Sequence, residues 1–150
     1  AVFLLVTAAL LALSERLGRR HRPLEALSWL DAIWIGLGQA LALFPGISRS
    51  GATISAALSR NLERMAAARF SFLMSVPVIL GAGLLPLKDL FDAGTLGEHL
   101  PVIGVGFVAA AISGYICIWG LLAFLRRRSL YAFAIYCFIF GSFNLAVALL

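Results

Sequence analysis

Charge is scarce in this chain. Of 150 residues only 13% are Asp, Glu, Lys or Arg, seven of them acidic, while 62% are hydrophobic. That balance excludes an ordinary soluble domain and indicates a chain that crosses a membrane several times. Cysteine and histidine are equally sparse, with two of each. Cys117 and Cys137 fall inside apolar runs, where they read as small buried hydrophobes and not as a disulfide or metal pair. His21 and His99 fall in expected loops, so no Cys/His cluster is in prospect. Low-complexity tracts are absent too. The net charge of +5 lacks the aromatic-interleaved basic surface that nucleic acid would require, so no nucleic-acid partner is expected.

What the chain does have is uncharged sequence. Residues 1–14, 70–87, 100–125 and 129–150 carry no Asp, Glu, Lys or Arg. This spacing predicts spanning helices over about 1–17, 66–87, 101–125 and 130–149, matched to a hydrocarbon layer of ~30 Å. The first run opens without methionine, basic n-region or small-residue cleavage site. It reads as a helix cut at its start and not as a signal peptide, so the chain is expected to be the C-terminal part of something longer. Arginines gather at the edges of these runs: Arg16, Arg19, Arg20 and Arg22, then Arg60, Arg64 and Arg69, then Arg126, Arg127 and Arg128. Short basic loops of this kind lie on the cytoplasmic side. The loop from Lys88 to Leu100, with Asp89, Asp92 and Glu98, is expected outside. Pro77 should kink its helix, and Gly104, Gly106, Gly114 and Gly120 should permit close helix contact. Trp29, Trp34 and Trp119 read as interface or lipid-facing anchors.

The stretch from about 31 to 61 is different. Pro45, Gly46 and Gly51 break it in the middle, leaving two halves of roughly 20 Å and 16 Å at 1.5 Å per residue, neither able to span alone. Both flanks are basic, so both should lie on one side. The expectation is a re-entrant helix–loop–helix with its tip near the midplane, where irregular backbone survives only against protein or a polar cavity. The sole charge between Asp31 and Arg60 is Arg49, at that tip. A charge at membrane depth costs at least ~2.5–3.5 kcal/mol and marks a functional site by default. Ser48, Ser50 and Thr53 surround it, with the next helix expected to start at Ser50 or Gly51. Backbone N–H groups at a helix N-terminus, hydroxyl donors and a guanidinium fork together suit a phosphate. Ser50 and Thr53, three apart, are expected on one helical face. Broken half-helices at mid-membrane belong to inverted-repeat folds, so a second pair should come from elsewhere in a longer chain or from another copy, as in a homodimer.

The run Pro45-Gly46-Ile47-Ser48-Arg49-Ser50-Gly51-Ala52-Thr53 resembles the second signature of the undecaprenyl-diphosphate phosphatases, the bacitracin-resistance membrane phosphatases. Gly38-Gln39-Ala40-Leu41-Ala42-Leu43-Phe44 before it, Phe70 to Pro77 with Gly81-Ala82-Gly83 after it, and Phe133-Ala134-Ile135-Tyr136 are also similar. The resemblance implies an all-α polytopic membrane bundle, one half of an inverted repeat, in the bacterial plasma membrane. It implies hydrolysis of a C55 polyprenyl diphosphate to the monophosphate and inorganic phosphate, recycling the lipid carrier of cell-wall synthesis. It implies a divalent cation, Mg²⁺ or Ca²⁺, whose ligands are expected in the other half with the family's first signature, none of which is present here. Members commonly carry an arginine where this chain has Cys137.

On this reading Arg49 clamps phosphate oxygens, Ser48 and Ser50 donate to them or act on the phosphorus, and Gly46 and Gly51 shape the loop and admit the phosphate. Thr53 stands between phosphate contact and bonding back onto its own helix, and Gln39 between a site role and interhelical bonding. Ser71, Ser75 and Asn144 read as helix–helix contacts. No residue of this chain is expected to bind metal. An apolar groove between helices is expected to hold the isoprenoid tail. A transporter or flippase of a phosphorylated lipid or anion fits the same features and remains the alternative.

Overall fold

The computed structural model describes residues 1–19, 21–94 and 96–149, and these are helical without a β-strand. Six α-helices follow in order: α1 Val2–Leu17, α2 Trp29–Ala40, α3 Arg49–Ser59, α4 Arg64–Asp92, α5 Leu96–Leu125 and α6 Tyr131–Leu149. Short 3₁₀ turns occupy Leu24–Ala26 and Leu41–Leu43. Among the described residues three helices are long and apolar enough to cross a membrane, at Arg64–Asp92, His99–Leu125 and Tyr131–Ala148. α1, with 16 residues, is shorter than these.

Two expected loops are largely helix. α4 runs through Pro77 and Pro86 to Asp92, and α5 takes in Pro101 and His99, so His99 is an exposed helical residue and not a loop residue. The expected outer loop from Lys88 to Leu100 shrinks to a turn after Asp92, with Gly94 at φ 69°. At 29 residues α4 is about 44 Å long, longer than the hydrocarbon layer. Its end can keep its backbone hydrogen bonds inside the helix while Lys88 and Asp89 stand in the polar layer. Arg20 of the expected basic loop and Thr95 of the outer loop lie outside the described residues.

α1 links α6 to α3. It lies antiparallel to α6, with Leu4 and Leu5 against Gly141, and also packs on α3. α3 in turn packs on α2 and α4, and α4 on α5. The core they share holds Leu11, Ile35, Ile54, Leu58, Leu125 and Leu130, together with the small residues Ala57, Ala67 and Ala68.

α2 and α3 form a hairpin whose two outer ends meet at one end of the bundle. α2 starts with a capping box: the Ser28 hydroxyl accepts from the Asp31 N–H, and the Asp31 carboxylate accepts from the Ser28 N–H at 3.0 Å. Fully buried Asp31 also pairs with Arg22, from the loop after α1, and with Arg60, at the end of α3, both at 2.7 Å. The Arg22 guanidinium donates further to the Arg60 carbonyl at 3.0 Å. Beside this knot the Asn61 carbonyl accepts from the N–H groups of His21 and Arg22, and the Glu63 N–H donates to the Arg22 carbonyl at 2.9 Å. Arg64 Nε donates to buried Glu15 at 2.8 Å, tying the start of α4 to the end of α1. One carboxylate thus fastens both ends of the hairpin and the preceding loop.

Candidate functional site: the loop between α2 and α3

The hairpin tip is a tight turn. The Ile47 N–H donates to the Phe44 carbonyl at 3.2 Å, with Pro45 and Gly46 between them. Gly46 has φ 96°, the positive value that the third position of a type II turn needs. Phe44 stacks on Phe3 at 5.9 Å, holding the turn against the start of α1. From Thr7, level with this loop, α1 runs about nine residues to Arg16, or about 14 Å, nearly half of a ~30 Å hydrocarbon layer.

α3 begins earlier than the sequence reading placed it. Ser48 is the N-cap and Arg49 the first helical residue, so Arg49 belongs to the helix and not to the loop. The reason is local: the Ser48 hydroxyl accepts from the Gly51 N–H at 3.2 Å and satisfies one of the free donors of the first turn. The Ser48 N–H donates to the Thr7 hydroxyl at 3.2 Å, and that hydroxyl donates to the Phe3 carbonyl. The Ser48 and Ser50 hydroxyls stand 3.4 Å apart.

Ser48, Ser50 and Gly51 line one cavity of about 230 Å³ together with Thr7, Tyr136 and Cys137. Cys137, where members of the resembled family commonly carry an arginine, thus lines the same cavity as the motif serines. Thr53 is elsewhere. Its hydroxyl lies 2.5 Å from that of Ser71 on α4 and donates back toward the carbonyls of Arg49 and Ser50 at 3.0 and 3.2 Å. Ser50 and Thr53 stand about 60° apart round the helix, but Ser50 lines the cavity beside α1 while the Thr53 hydroxyl is engaged by Ser71 of α4. Ser71 makes the helix–helix contact expected of it, whereas Ser75 and Asn144 bond back to their own helices.

Arg49 leaves α3 about 40° from Thr53 on the helical wheel, on the flank toward α4. Its Nη1 is buried and has no hydrogen-bond partner, and no carboxylate pairs with it among the described residues. The Gln39 amide oxygen, near the end of α2, is likewise buried without a partner. A buried guanidinium N–H without an acceptor is costly, and in native proteins such a group usually has a partner. The structure thus puts a helix N-terminus, two adjoining hydroxyls and an unmatched cation within three residues, an arrangement that can hold an anion.

No cation site accompanies it among the described residues. Among the described residues no three His, Cys, Asp or Glu side chains come together to hold a metal ion. The residues present therefore do not fit a divalent cation.

A family profile described as "Bacitracin resistance protein BacA" matches residues 1–143. The chain belongs to this family. Proteins named undecaprenyl-diphosphatase are similar to it in sequence. One from Synechocystis is 48% identical over 141 residues, covering 94% of this chain and 43% of that protein. One from Methanothermobacter thermautotrophicus is 50% identical over 155 residues, covering 99% of this chain and 82% of that protein. One from Gloeobacter violaceus is 48% identical over 147 residues, covering 98% of this chain and 50% of that protein. Apart from the Methanothermobacter protein, the chain spans about half the length of these relatives. Three helices fit to cross a membrane make this BacA-family chain a membrane protein.

Sequence reasoning did not anticipate Thr7 or the Asp31 knot in this BacA-family structure. Both left a trace: Thr7 is the one polar residue before Ser14 in an apolar run, and Ser28-Trp29-Leu30-Asp31 has capping-box spacing. Gly51 shows how tightly Thr7 is fitted. A Cβ there would stand 2.8 Å from Thr7 Cγ2 and 3.1 Å from Ser48 Cβ. Gly51→Ala should therefore cost about 1–3 kcal/mol as α3 is pushed off α1. Thermal unfolding in detergent checks this, and Thr7→Ser, which removes that methyl and keeps the hydroxyl, should recover part of the loss. Additive effects of the two changes would refute the contact.

Proposed function

We propose that this chain carries the anion-binding part of a membrane phosphatase that hydrolyses undecaprenyl diphosphate to undecaprenyl phosphate and inorganic phosphate. The observation that carries the reading is the buried, unpartnered Nη1 of Arg49, whose neighbours in the chain are the paired Ser48 and Ser50 hydroxyls at the start of α3. The substrate is a polyprenyl diphosphate, and the place of action is the bacterial plasma membrane, where the product returns to cell-wall synthesis. The α2–α3 hairpin is the re-entrant pair of one repeat of an inverted-repeat fold, entering and leaving on the basic side. The common fastening of its two ends at Asp31 supports this.

The chemistry follows from charge. Water attacks the terminal phosphorus, the bridging P–O bond breaks, and lipid phosphate departs with the bonding electrons. Negative charge is spread over the phosphoryl oxygens throughout, so catalysis is mainly positioning and electrostatic stabilisation. Arg49 supplies a fork of donors, Ser48 and Ser50 supply hydroxyls, and the α3 N-terminus adds its dipole. Gly46 lets the loop turn, and Gly51 lets the first turn of α3 lie close against Thr7 of α1. Gln39 can accept a hydrogen bond from the attacking water through its free amide oxygen. Thr53, with its hydroxyl taken up by Ser71 and its own helix, positions the first turn of α3. No base and no divalent-cation ligand is assigned among the described residues.

Phosphate release from C55 diphosphate by the full-length protein in detergent, with Mg²⁺ or Ca²⁺ present, tests the reading. Release above the protein-free blank is expected. Folded protein that releases none would sink the phosphatase reading and move the weight to transport of a phosphorylated lipid or anion.

A further inference from the structure

The cavity beside the motif serines is lined mainly by apolar side chains. Ser48, Ser50, Gly51 and Thr7 stand at the start of α3, and the remaining walls are mostly Leu11, Ile54, Leu121, Leu125, Leu130 and Phe133. The far walls come from α5 and α6. These helices leave a common turn at Arg126–Leu130, and beside it Phe124 and Phe133 meet edge to face at 5.7 Å. Among the described residues no close backbone approach links α5 to α6 beyond that point. The two helices therefore splay into a wedge, and the cavity occupies its narrow end.

We infer that this wedge takes the first stretch of the isoprenoid tail of a polyprenyl diphosphate whose charged end caps α3. The inference rests on the phosphatase reading above and names the part of the molecule that recognises the tail. An anion seated on a helix N-terminus leaves the attached hydrocarbon to be covered by whatever apolar surface adjoins it. The wedge adjoins the serines directly. A larger groove of about 390 Å³ lies between α1, α2 and α3, but it is walled by the other flank of α3, at Ala52, Ser55, Ala56 and Ser59, and does not include Ser48 or Ser50. Divergence of α5 from α6 also gives a long chain a sideways exit, so most of the tail stays in lipid and is never threaded through the protein. Leu121 and Phe133 then decide how well hydrocarbon next to the diphosphate is held.

The test compares phosphate release from farnesyl diphosphate and from methyl diphosphate by the full-length protein. Leu121→Trp fills the wedge and should lower the farnesyl-to-methyl ratio of kcat/KM at least about tenfold. Leu37→Trp, in the other groove, should leave that ratio where it was. Farnesyl diphosphate carrying a diazirine on its first isoprene unit should label peptides of α5 or α6, and C55 diphosphate should displace it. The labelling needs no variant and decides the matter alone if Leu121→Trp does not fold. A ratio that stays put in Leu121→Trp, or label that lands on α2, overturns the wedge while phosphate release leaves the phosphatase reading standing. A parent protein that releases phosphate from neither substrate overturns both.

Discussion

Arg49→Ala should leave a protein that folds at least as well as its parent and releases phosphate from C55 diphosphate at least about 10²-fold more slowly. The two halves of that result come from one observation. Nη1 of Arg49 is buried without an acceptor, so the folded state bears the cost of desolvating it and receives no bond in return. Removing such a group relieves the fold. A site that holds an anion loses its principal cation at the same time. Arg49→Lys should fall between, because an ammonium restores charge but not the planar pair of donors that grips two oxygens. Melting temperature and kcat/KM measured on the same preparations check both halves. A variant that melts much lower yet keeps its rate would show Arg49 to be a structural residue.

Asp31→Ala should have the largest effect on stability, about 3 kcal/mol. The carboxylate is fully buried and serves the Ser28 cap, Arg22 and Arg60 together. Its loss leaves two arginines without their acceptor, although side-chain exposures of 26% for Arg22 and 43% for Arg60 let water take up part of the cost. The Arg22 guanidinium, aided by the Ser28 N–H and Arg60, holds the Asp31 carboxyl well below the usual carboxylate range against the opposing effect of burial. A depressed folded-state value contributes stability that is present above the ordinary carboxylate range and drains away as pH falls. Melting from neutral pH downward should therefore decline more steeply in the parent than in Asp31→Asn, where that proton no longer differs between the folded and unfolded states. Parallel pH profiles would remove Asp31 from the account.

The elements that sequence made legible are those governed by composition. Uncharged runs located α4, α5 and α6, and the proline–glycine break located the hairpin. Their ends were less legible, because capping chemistry sets them and not hydropathy. Ser28 starts α2 before Asp31, and Ser48 starts α3 before Ser50. Polar residues continue α4 and α5 beyond the apolar stretch, since a helix keeps its hydrogen bonds in any solvent. At the site, residue types alone pointed to Arg49 and the serines. The direction of each side chain did not follow from type: Thr53 turned to Ser71, while Thr7, distant in sequence, came to the Ser48 backbone. Pairings such as Glu15 with Arg64 join residues 49 positions apart, and nothing in local sequence sets them.

α1 carries none of the motif, yet it is keyed at two heights. Thr7 engages the loop at one level, and Glu15 engages the start of α4 at another. Each residue of an α-helix advances 1.5 Å and turns about 100°. One residue added or removed between these two positions would swing one key out of phase while the other stayed seated, and no rotation of the helix as a whole could seat both. The span from Thr7 to Glu15 thus behaves as a gauge of fixed length: its outward side chains are free to vary, but their number is not.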